Sequence, residues 1–553
     1  MTVQQRYTHW LTHADQETIL ELQAINNQEE LYDRFYKELS FGTGGMRGVL
    51  GAGCNRMNAY TVARATAGFA QVITKAGTDA CNRGIVIAYD NRHNSRLFAE
   101  VTAGVLAKKG IKAYLFDQLR TTPELSFAVR YLGAFGGVVI TASHNPKEYN
   151  GYKLYDEYGC QLVPHKVQPI IDAIETISDP FSVEWLSLKE AGDCIQTVGK
   201  EIDEAYYQKV LSLQFDPNTK RTVGVVYTPQ HGTGNLAVRH VLTQAGFTLF
   251  PVEEQCFPDP DFSNTKNPNP ESEEAYTLAI DKMKQTGADL AIATDPDCDR
   301  LGAVIRCKNG DFRLLTGNQS GAVLMYYLLT RLQAKGALPQ NGMMCNTIVT
   351  SSLGDAIARS FGLTVEKTLT GFKFIGDKIQ THQEIGDKTF VFGYEESYGC
   401  LIGDFVRDKD GVQASLLFCE AADYYKKQEK TLVDVLDEIY QQFGYYYDHL
   451  TSLTLKGEAG AKRIQQILTD LRNQPRSTLG GYPIEGFTDF LNPPSGFPRS
   501  DVLLYHLPKG GFVAVRPSGT EPKCKFYYCI AADSLAQAKA ITLAIRNELE
   551  PKA

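Results

Sequence analysis

The sequence predicts an α/β protein: three mixed, mainly parallel α/β units followed by a C-terminal α+β domain. Three observations lead there. At roughly 100–200 residues per domain, a chain of 553 residues is expected to divide into several cores rather than enlarge one. Apolar runs of strand length alternate with helically spaced segments in three successive rounds. The chain then changes to closely spaced strand-like runs and one final helix.

The first round opens at residues 84–90 (GIVIAYD), an apolar run of strand length. Helical spacing follows at 97–109, Gly110 stops the helix, and 112–116 form the next strand. After a further helix, 137–141 (GVVIT) read as a buried strand running into Ala142-Ser143-His144-Asn145-Pro146. The second round has a strand at 222–228 (TVGVVYT), a helix from Asn235, and a strand at 289–294 (DLAIAT). That strand ends in Asp295-Pro296-Asp297-Cys298-Asp299-Arg300. The third runs from a strand at 342–349 through helices after Ser352 and Phe372 to a strand at 389–392, which leads into Gly393-Tyr394-Glu395-Glu396-Ser397. Such alternation gives parallel sheets covered on both faces, with ligands beyond the carboxyl ends of the strands.

In the tail, strands at 501–507, 512–515 and 525–531 precede a helix at 534–548, and the loop between the last two strands is RPSGTEPK, from Arg516 to Lys523. Segments 259–270 (DPDFSNTKNPNP) and 480–498 read as irregular surface, the second joining tail to body. The expected domains are 1–208, 209–324, 325–450 and 451–553.

Composition narrows the function classes. Hydrophobic content of 43% and charged content of 22% are ordinary for a globular protein and exclude disordered, collagenous and coiled-coil classes. With 56 basic and 64 acidic residues the net charge is −8, which argues against nucleic acid as a partner. No stretch approaches the roughly 20 apolar residues of a spanning helix, so no membrane partner is expected. The first twenty or so residues carry Gln, Arg, His and Asp where a signal peptide needs an apolar run. Twelve cysteines are scattered without a CxxC pair, which reads as buried, reduced thiols in a cytoplasmic enzyme.

The chemistry lies in the loops. A GxxxxGK[ST] phosphate loop and a GxSxG elbow are both absent. Ser143, directly after a buried strand, is either a turn former or a phosphoryl carrier if a metal and cations lie nearby. Asp295, Asp297 and Asp299, at i, i+2 and i+4, would project to one side of an extended segment, within reach of one hard cation such as magnesium. The same residues could be no more than an acidic turn, and the Gly and Glu of an EF-hand are missing. Arg300 beside them suits a phosphoryl group in transit. Glu395 and Ser397, two apart in an extended strand end, can hold neighbouring sugar hydroxyls or merely cap a helix. RPSGTEPK reads as a phosphate nest or a solvated hairpin. The turn at 43–48 (TGGMRG) bears Arg47 and does not spell GxGxxG.

Together and in this order, the loops resemble those of the α-D-phosphohexomutase superfamily, in its phosphoglucomutase-2-like and phosphopentomutase branch. TASHNP with NGYK looks like its phosphoserine loop, DPDCDR like its magnesium loop, GYEESYG like its sugar-binding loop and RPSGTEPK like its phosphate-binding loop. The resemblance implies four domains around a central cleft. It implies a mutase that interconverts glucose 1-phosphate and glucose 6-phosphate through phosphorylated Ser143 and a glucose 1,6-bisphosphate intermediate. One Mg2+ would be held by Asp295, Asp297, Asp299 and the Ser143 phosphate. Arg47 and Arg300 would offset charge on the phosphoryl group, and Lys153 and His144 are the candidates for proton transfer, the lysine through a pKa lowered by neighbouring cations. Thr370, Gly371, Glu395, Ser397 and Lys409 would contact the sugar. Arg516, Ser518, Gly519, Thr520 and Lys525 would grip the phosphate that does not react. Ribose or deoxyribose phosphates are the alternative substrates, then mannose phosphate. A phosphatase and a phosphosugar-binding protein that has lost catalysis are the rival classes.

Overall fold

The computed structural model describes residues 1–42, 44–455, 457–517 and 523–550, the side chains of 457–459 and 461 excepted. The chain forms two compact units. One comprises Met1–Leu315, Phe372–Asp387 and Tyr398–Gln428, the other Thr316–Gly371, Lys388–Ser397 and Glu429–Ala553.

The first unit contains two sheets. The larger has seven strands, in the order Phe41–Gly42, Gly45–Val49, Tyr149–Asp156, Gly136–Ile140, Ile85–Tyr89, Ala113–Phe116 and Ile195–Val198. Gly136–Ile140, Ile85–Tyr89, Ala113–Phe116 and Ile195–Val198 run parallel, while Tyr149–Asp156 and Gly45–Val49 join antiparallel. Ile85–Tyr89 and Gly136–Ile140 are buried at every position, the reason both read as unbroken apolar runs. Their core includes Val62 and Phe69 of helix Ala59–Ala76, Phe98 of Ser95–Lys108 and Ile170 of Pro164–Glu175. The second sheet has the order Phe312–Leu314, Leu301–Arg306, Leu290–Thr294, Gly224–Thr228 and Thr248–Pro251, with the last three parallel.

In the second unit Thr364–Thr368, Gly342–Thr347 and Thr389–Tyr394 pair in parallel. Its tail sheet is antiparallel throughout, in the order Tyr445–Thr454, Lys523–Ala532, Phe512–Pro517, Leu503–His506 and Gly486–Asp489. Helices Gly457–Asn473 and Leu535–Leu549 pack on it through Ile464, Leu468, Ala538 and Ile545.

Several expectations need correction. Residues 480–498 are no linker, because Gly486–Asp489 is the edge strand of the tail sheet. The positions 208, 324 and 450 lie within helix Lys200–Leu211, helix Gly317–Ala334 and strand Tyr445–Thr454. None of the twelve cysteines is in a disulfide, but Cys194 is exposed and Cys81, Cys256 and Cys307 are half-buried. Among the described residues no helix is long and apolar enough to cross a membrane.

Candidate active site

In the first unit the carboxyl ends of Gly136–Ile140 and Leu290–Thr294 bring Ser143 onto the aspartate loop. The Ser143 hydroxyl donates to Asp295 Oδ2 at 2.7 Å and lies 3.1 Å from His144 Nδ1. Ser143 is 3% exposed and has φ 52, a left-handed backbone that a non-glycine residue adopts only when its surroundings over-determine it. The determinants are visible. Its N–H donates to Thr141 Oγ1 at 2.8 Å, and the buried Arg92 guanidinium donates to the carbonyls of Ser143, Asn145, Pro146 and Tyr149 at 2.5–3.0 Å. Asp90 in turn faces Arg92 Nε at 3.3 Å.

The aspartate loop is a tight turn, not the extended segment expected from i, i+2, i+4 spacing. The Cys298 N–H donates to the Asp295 carbonyl at 2.9 Å, and Cys298 has φ 58. Asp295 Oδ1 accepts the N–H groups of Asp299 and Arg300, each at 3.1 Å. The turn still does what alternation was expected to do, since one oxygen from each of Asp295, Asp297 and Asp299 lies within 4.8 Å of the others. Thr233 braces it from outside, donating through both N–H and Oγ1 to the Pro296 carbonyl at 2.8 and 2.9 Å. Gly232 makes that approach feasible, because a Cβ there would meet Pro296 Cα at 2.5 Å.

The triad fits a divalent cation on its own chemistry. Asp297 Oδ1 is buried and accepts no hydrogen bond, and Asp299 Oδ1 has only the Arg300 guanidinium at 3.6 Å, a costly state for carboxylate oxygens unless a further cation faces them. Hard oxygen donors of this kind suit magnesium. Burial and the charges of Asp297 and Asp299 push the Asp295 carboxyl well above the usual carboxylate range. Burial acts the same way on Asp297, but the Lys153 ammonium at 2.9 Å overrides it and holds that carboxyl below the range. A metal among the three would relieve their mutual repulsion.

Two lysines named from the sequence meet the aspartates. Lys153, opposite Val139 in the sheet, faces Asp297 at 2.9 Å and Asp299 at 3.8 Å, so its neighbours are carboxylates rather than cations. Lys409 lies 3.0 Å from Asp299 Oδ2, beside the aspartate cluster. His144 sits among cations instead. Burial, then the charges of Arg300 and Arg47, push its pKa well below the ordinary histidine value, leaving the imidazole neutral at neutral pH. Arg300 Nε is 3.6 Å from Asp299 and its Nη1 donates to Glu271 at 2.7 Å. Arg47, exposed, donates to Asn145 Oδ1 at 2.9 Å, next to the serine loop.

In the second unit the Gly371 N–H donates to Glu395 Oε1 at 2.8 Å, so the Thr370-Gly371 turn and the Glu395 loop do come together. Gly371 has φ 117, which a side chain would resist. The strand ends at Tyr394 and Ser397 lies in a turn, so Glu395 and Ser397 do not share an extended segment. Glu396 is tied elsewhere, accepting from Thr347 and Thr350. Arg516 pairs directly opposite Lys525 in the tail sheet. Ser518, Gly519 and Thr520, like Thr43, lie outside the described residues.

Comparison with known proteins decides the family. Phosphoglucomutase/phosphomannomutase alpha/beta/alpha domain I matches residues 38–180, domain II residues 204–309 and domain III residues 316–443. A phosphoglucomutase of Staphylococcus epidermidis is 37% identical over 537 residues, 95% of this chain and 96% of that one. The chain belongs to the phosphoglucomutase/phosphomannomutase family. That places it in the α-D-phosphohexomutase superfamily. Two solved structures share the fold. Paramecium parafusin, a phosphoglucomutase in its open form, is 20% identical with a TM-score of 0.66, covering 93% of this chain and 95% of its own. Aspergillus fumigatus N-acetylphosphoglucosamine mutase, in complex with GlcNAc-6P and magnesium, is 13% identical with a TM-score of 0.52, covering 99% and 98%.

In this phosphohexomutase, sequence reasoning missed Arg92, Asp90 and Thr122. Thr122 opens helix Thr122–Leu132 and donates through its N–H to the Asp297 carbonyl and through Oγ1 to Asp297 Oδ2, at 2.9 and 3.1 Å. The signal for the first two was available: Asp90-Asn91-Arg92 follows a buried strand, the position from which the serine and aspartate loops also emerge.

Proposed function

We propose that the protein is a phosphoglucomutase that interconverts glucose 1-phosphate and glucose 6-phosphate, with Ser143 as phosphoryl carrier and glucose 1,6-bisphosphate as intermediate. One observation carries the reading: the Ser143 hydroxyl sits 2.7 Å from Asp295 in a buried cluster of three carboxylates. Asp295, Asp297 and Asp299 would hold one magnesium ion, which neutralises phosphoryl oxygens. The A. fumigatus relative, crystallised with magnesium and a sugar phosphate, supports both ligands.

The residues divide the work as follows. The P–O bond to Ser143 breaks as one to the sugar hydroxyl forms. His144 Nδ1 accepts the hydroxyl proton and returns one to Ser143 Oγ. Arg300 and Arg47 offset the charge of the group in flight. The intermediate then gives its other phosphate back to Ser143, so no nucleotide is consumed. Glu395 with the Thr370-Gly371 turn and Ser397 would hold the sugar hydroxyls. Arg516 and Lys525 stand directly opposite each other across two strands, which puts two cations side by side at the base of the RPSGTEPK loop. The non-reacting phosphate is the anion they would hold, with Ser518, Gly519 and Thr520 of the same loop. The small-molecule partners are therefore sugar phosphates, and the location is cytoplasmic.

Arg516→Ala should lower kcat/KM for glucose 1-phosphate about tenfold to a hundredfold, the worth of a charge-assisted contact of about 1.5–3 kcal/mol. Steady-state kinetics at fixed bisphosphate checks it; an unchanged kcat/KM would move the grip elsewhere. The substrate assignment is tested by kcat/KM for glucose 1-phosphate, ribose 1-phosphate and mannose 1-phosphate, each with its own bisphosphate. Glucose should lead. A pentose lead of about tenfold would make the enzyme a phosphopentomutase.

A further inference from the structure

Residues 259–270, which the sequence reads as mere surface, contact the serine loop's support. Phe262 is 4% exposed, and its ring centroid lies 5.2 Å from the Arg92 guanidinium carbon. Arg92 is the group that gathers four serine-loop carbonyls, and its side chain is fully buried. Phe262 also has φ 51, a conformation costly for a bulky residue and held here by its neighbours. Beside it, Asp261 Oδ1 lies 3.1 Å from Lys147 Nζ and 3.3 Å from His93 Nε2. Lys147 follows Pro146 at the end of the serine loop, and His93 follows Arg92. The Asn91 side chain donates to the Asp259 carbonyl at 2.9 Å. The turn is itself anchored. The Asp259 carboxylate accepts the N–H groups of Asp261 and Ser263, and the Gln255 side chain donates to the Asn264 carbonyl at 2.7 Å.

We propose that the 259–264 turn is a brace for the phosphoryl carrier: Phe262 and Asp261 are positioning residues that hold Arg92 and Lys147, and through them the serine loop, in the geometry that aims Ser143 at the aspartate cluster. The cation–π contact covers a guanidinium whose N–H groups are committed to the loop, so it fixes the plane in which those carbonyls are held. This rests on the reading of Ser143 as carrier. A brace acts on alignment for transfer and not on sugar binding, so its loss should appear in kcat and spare KM.

The experiment compares full-length wild type, Phe262→Ala, Phe262→Tyr and Asp261→Ala in glucose 1-phosphate turnover, with saturating glucose 1,6-bisphosphate and magnesium. Phosphate on Ser143 is followed by mass in the same samples. Phe262→Ala should lose kcat about tenfold to a hundredfold, the cost of small misplacements, with KM within about twofold. Phe262→Tyr, which keeps a ring over the guanidinium, should stay within about threefold of wild type. Asp261→Ala, at a half-exposed site that the fold tolerates, should lose about threefold to fivefold in kcat alone. A Phe262→Ala kcat within about twofold of wild type overturns the brace, as does a loss that Phe262→Tyr fully shares. If Phe262→Ala does not fold, wild-type kcat in Asp261→Ala overturns it. A wild type active yet never phosphorylated on Ser143 removes the carrier reading and the brace with it. A phosphorylated wild type with unaffected variants removes the brace alone.

Discussion

Ser143→Ala is expected to abolish turnover, with kcat falling by a factor on the order of 10⁴ or more, as when a covalent nucleophile is removed from its catalytic unit. The hydroxyl is one side of the contact with Asp295, and among the described residues the other hydroxyl on the aspartate cluster is that of Thr122, which donates to Asp297. The variant should still bind glucose 1-phosphate with near wild-type affinity, because Glu395, Arg516 and Lys525 are untouched. Calorimetric titration of the sugar phosphate together with a coupled isomerisation assay separates the two effects. Retained isomerase activity would mean that the carrier is another residue.

The second large effect should follow removal of the metal. Chelation of divalent cations is expected to abolish activity, and added magnesium to restore it. Asp297→Asn should weaken magnesium by more than the tenfold to hundredfold typical of losing an outer-shell partner, because Asp297 would supply a ligand directly. It also takes from Lys153 its 2.9 Å carboxylate partner and leaves Asp299 at 3.8 Å, so some loss of thermal stability should accompany the kinetic defect. Activity titrated against magnesium, for wild type and variant side by side, gives the shift. Full activity in chelator, or an unchanged magnesium midpoint in Asp297→Asn, would remove the triad from the mechanism.

The parts of the site legible in the sequence are those whose chemistry is contiguous. Ser143 and the three aspartates stand in short loops directly after apolar strands, and parallel-sheet geometry brings such loops to one side without knowledge of long-range contacts. The spacing argument for the aspartates reached the right cluster by the wrong local geometry, since a turn with Cys298 at φ 58 does the work of alternation. What stayed hidden joins distant stretches of chain. Lys153 meets Asp297 across 144 positions, and Asn91 meets the Asp259 carbonyl across 168. Tyr149–Asp156 was not legible as a strand because YNGYKLYD lacks an apolar run, yet its six inner residues are buried between two neighbouring strands. Tyr445–Thr454 was lost for the opposite reason: as an edge strand it buries only one residue fully, too little to mark a core. The ion pair of Lys409 with Asp299, across 110 positions of the chain, was hidden for the same reason as the contacts of Lys153 and Asn91.

The most direct test of the central claim is to follow a labelled phosphate through Ser143. The full-length protein is loaded from glucose 1,6-bisphosphate carrying isotopically labelled phosphate, and peptide mass mapping locates the label. It is then chased with unlabelled glucose 1-phosphate under rapid quench. The account predicts a single labelled site, Ser143, whose label passes into hexose phosphate at a rate at least equal to kcat. A label on any other residue, or on Ser143 but leaving more slowly than the enzyme turns over, would contradict it.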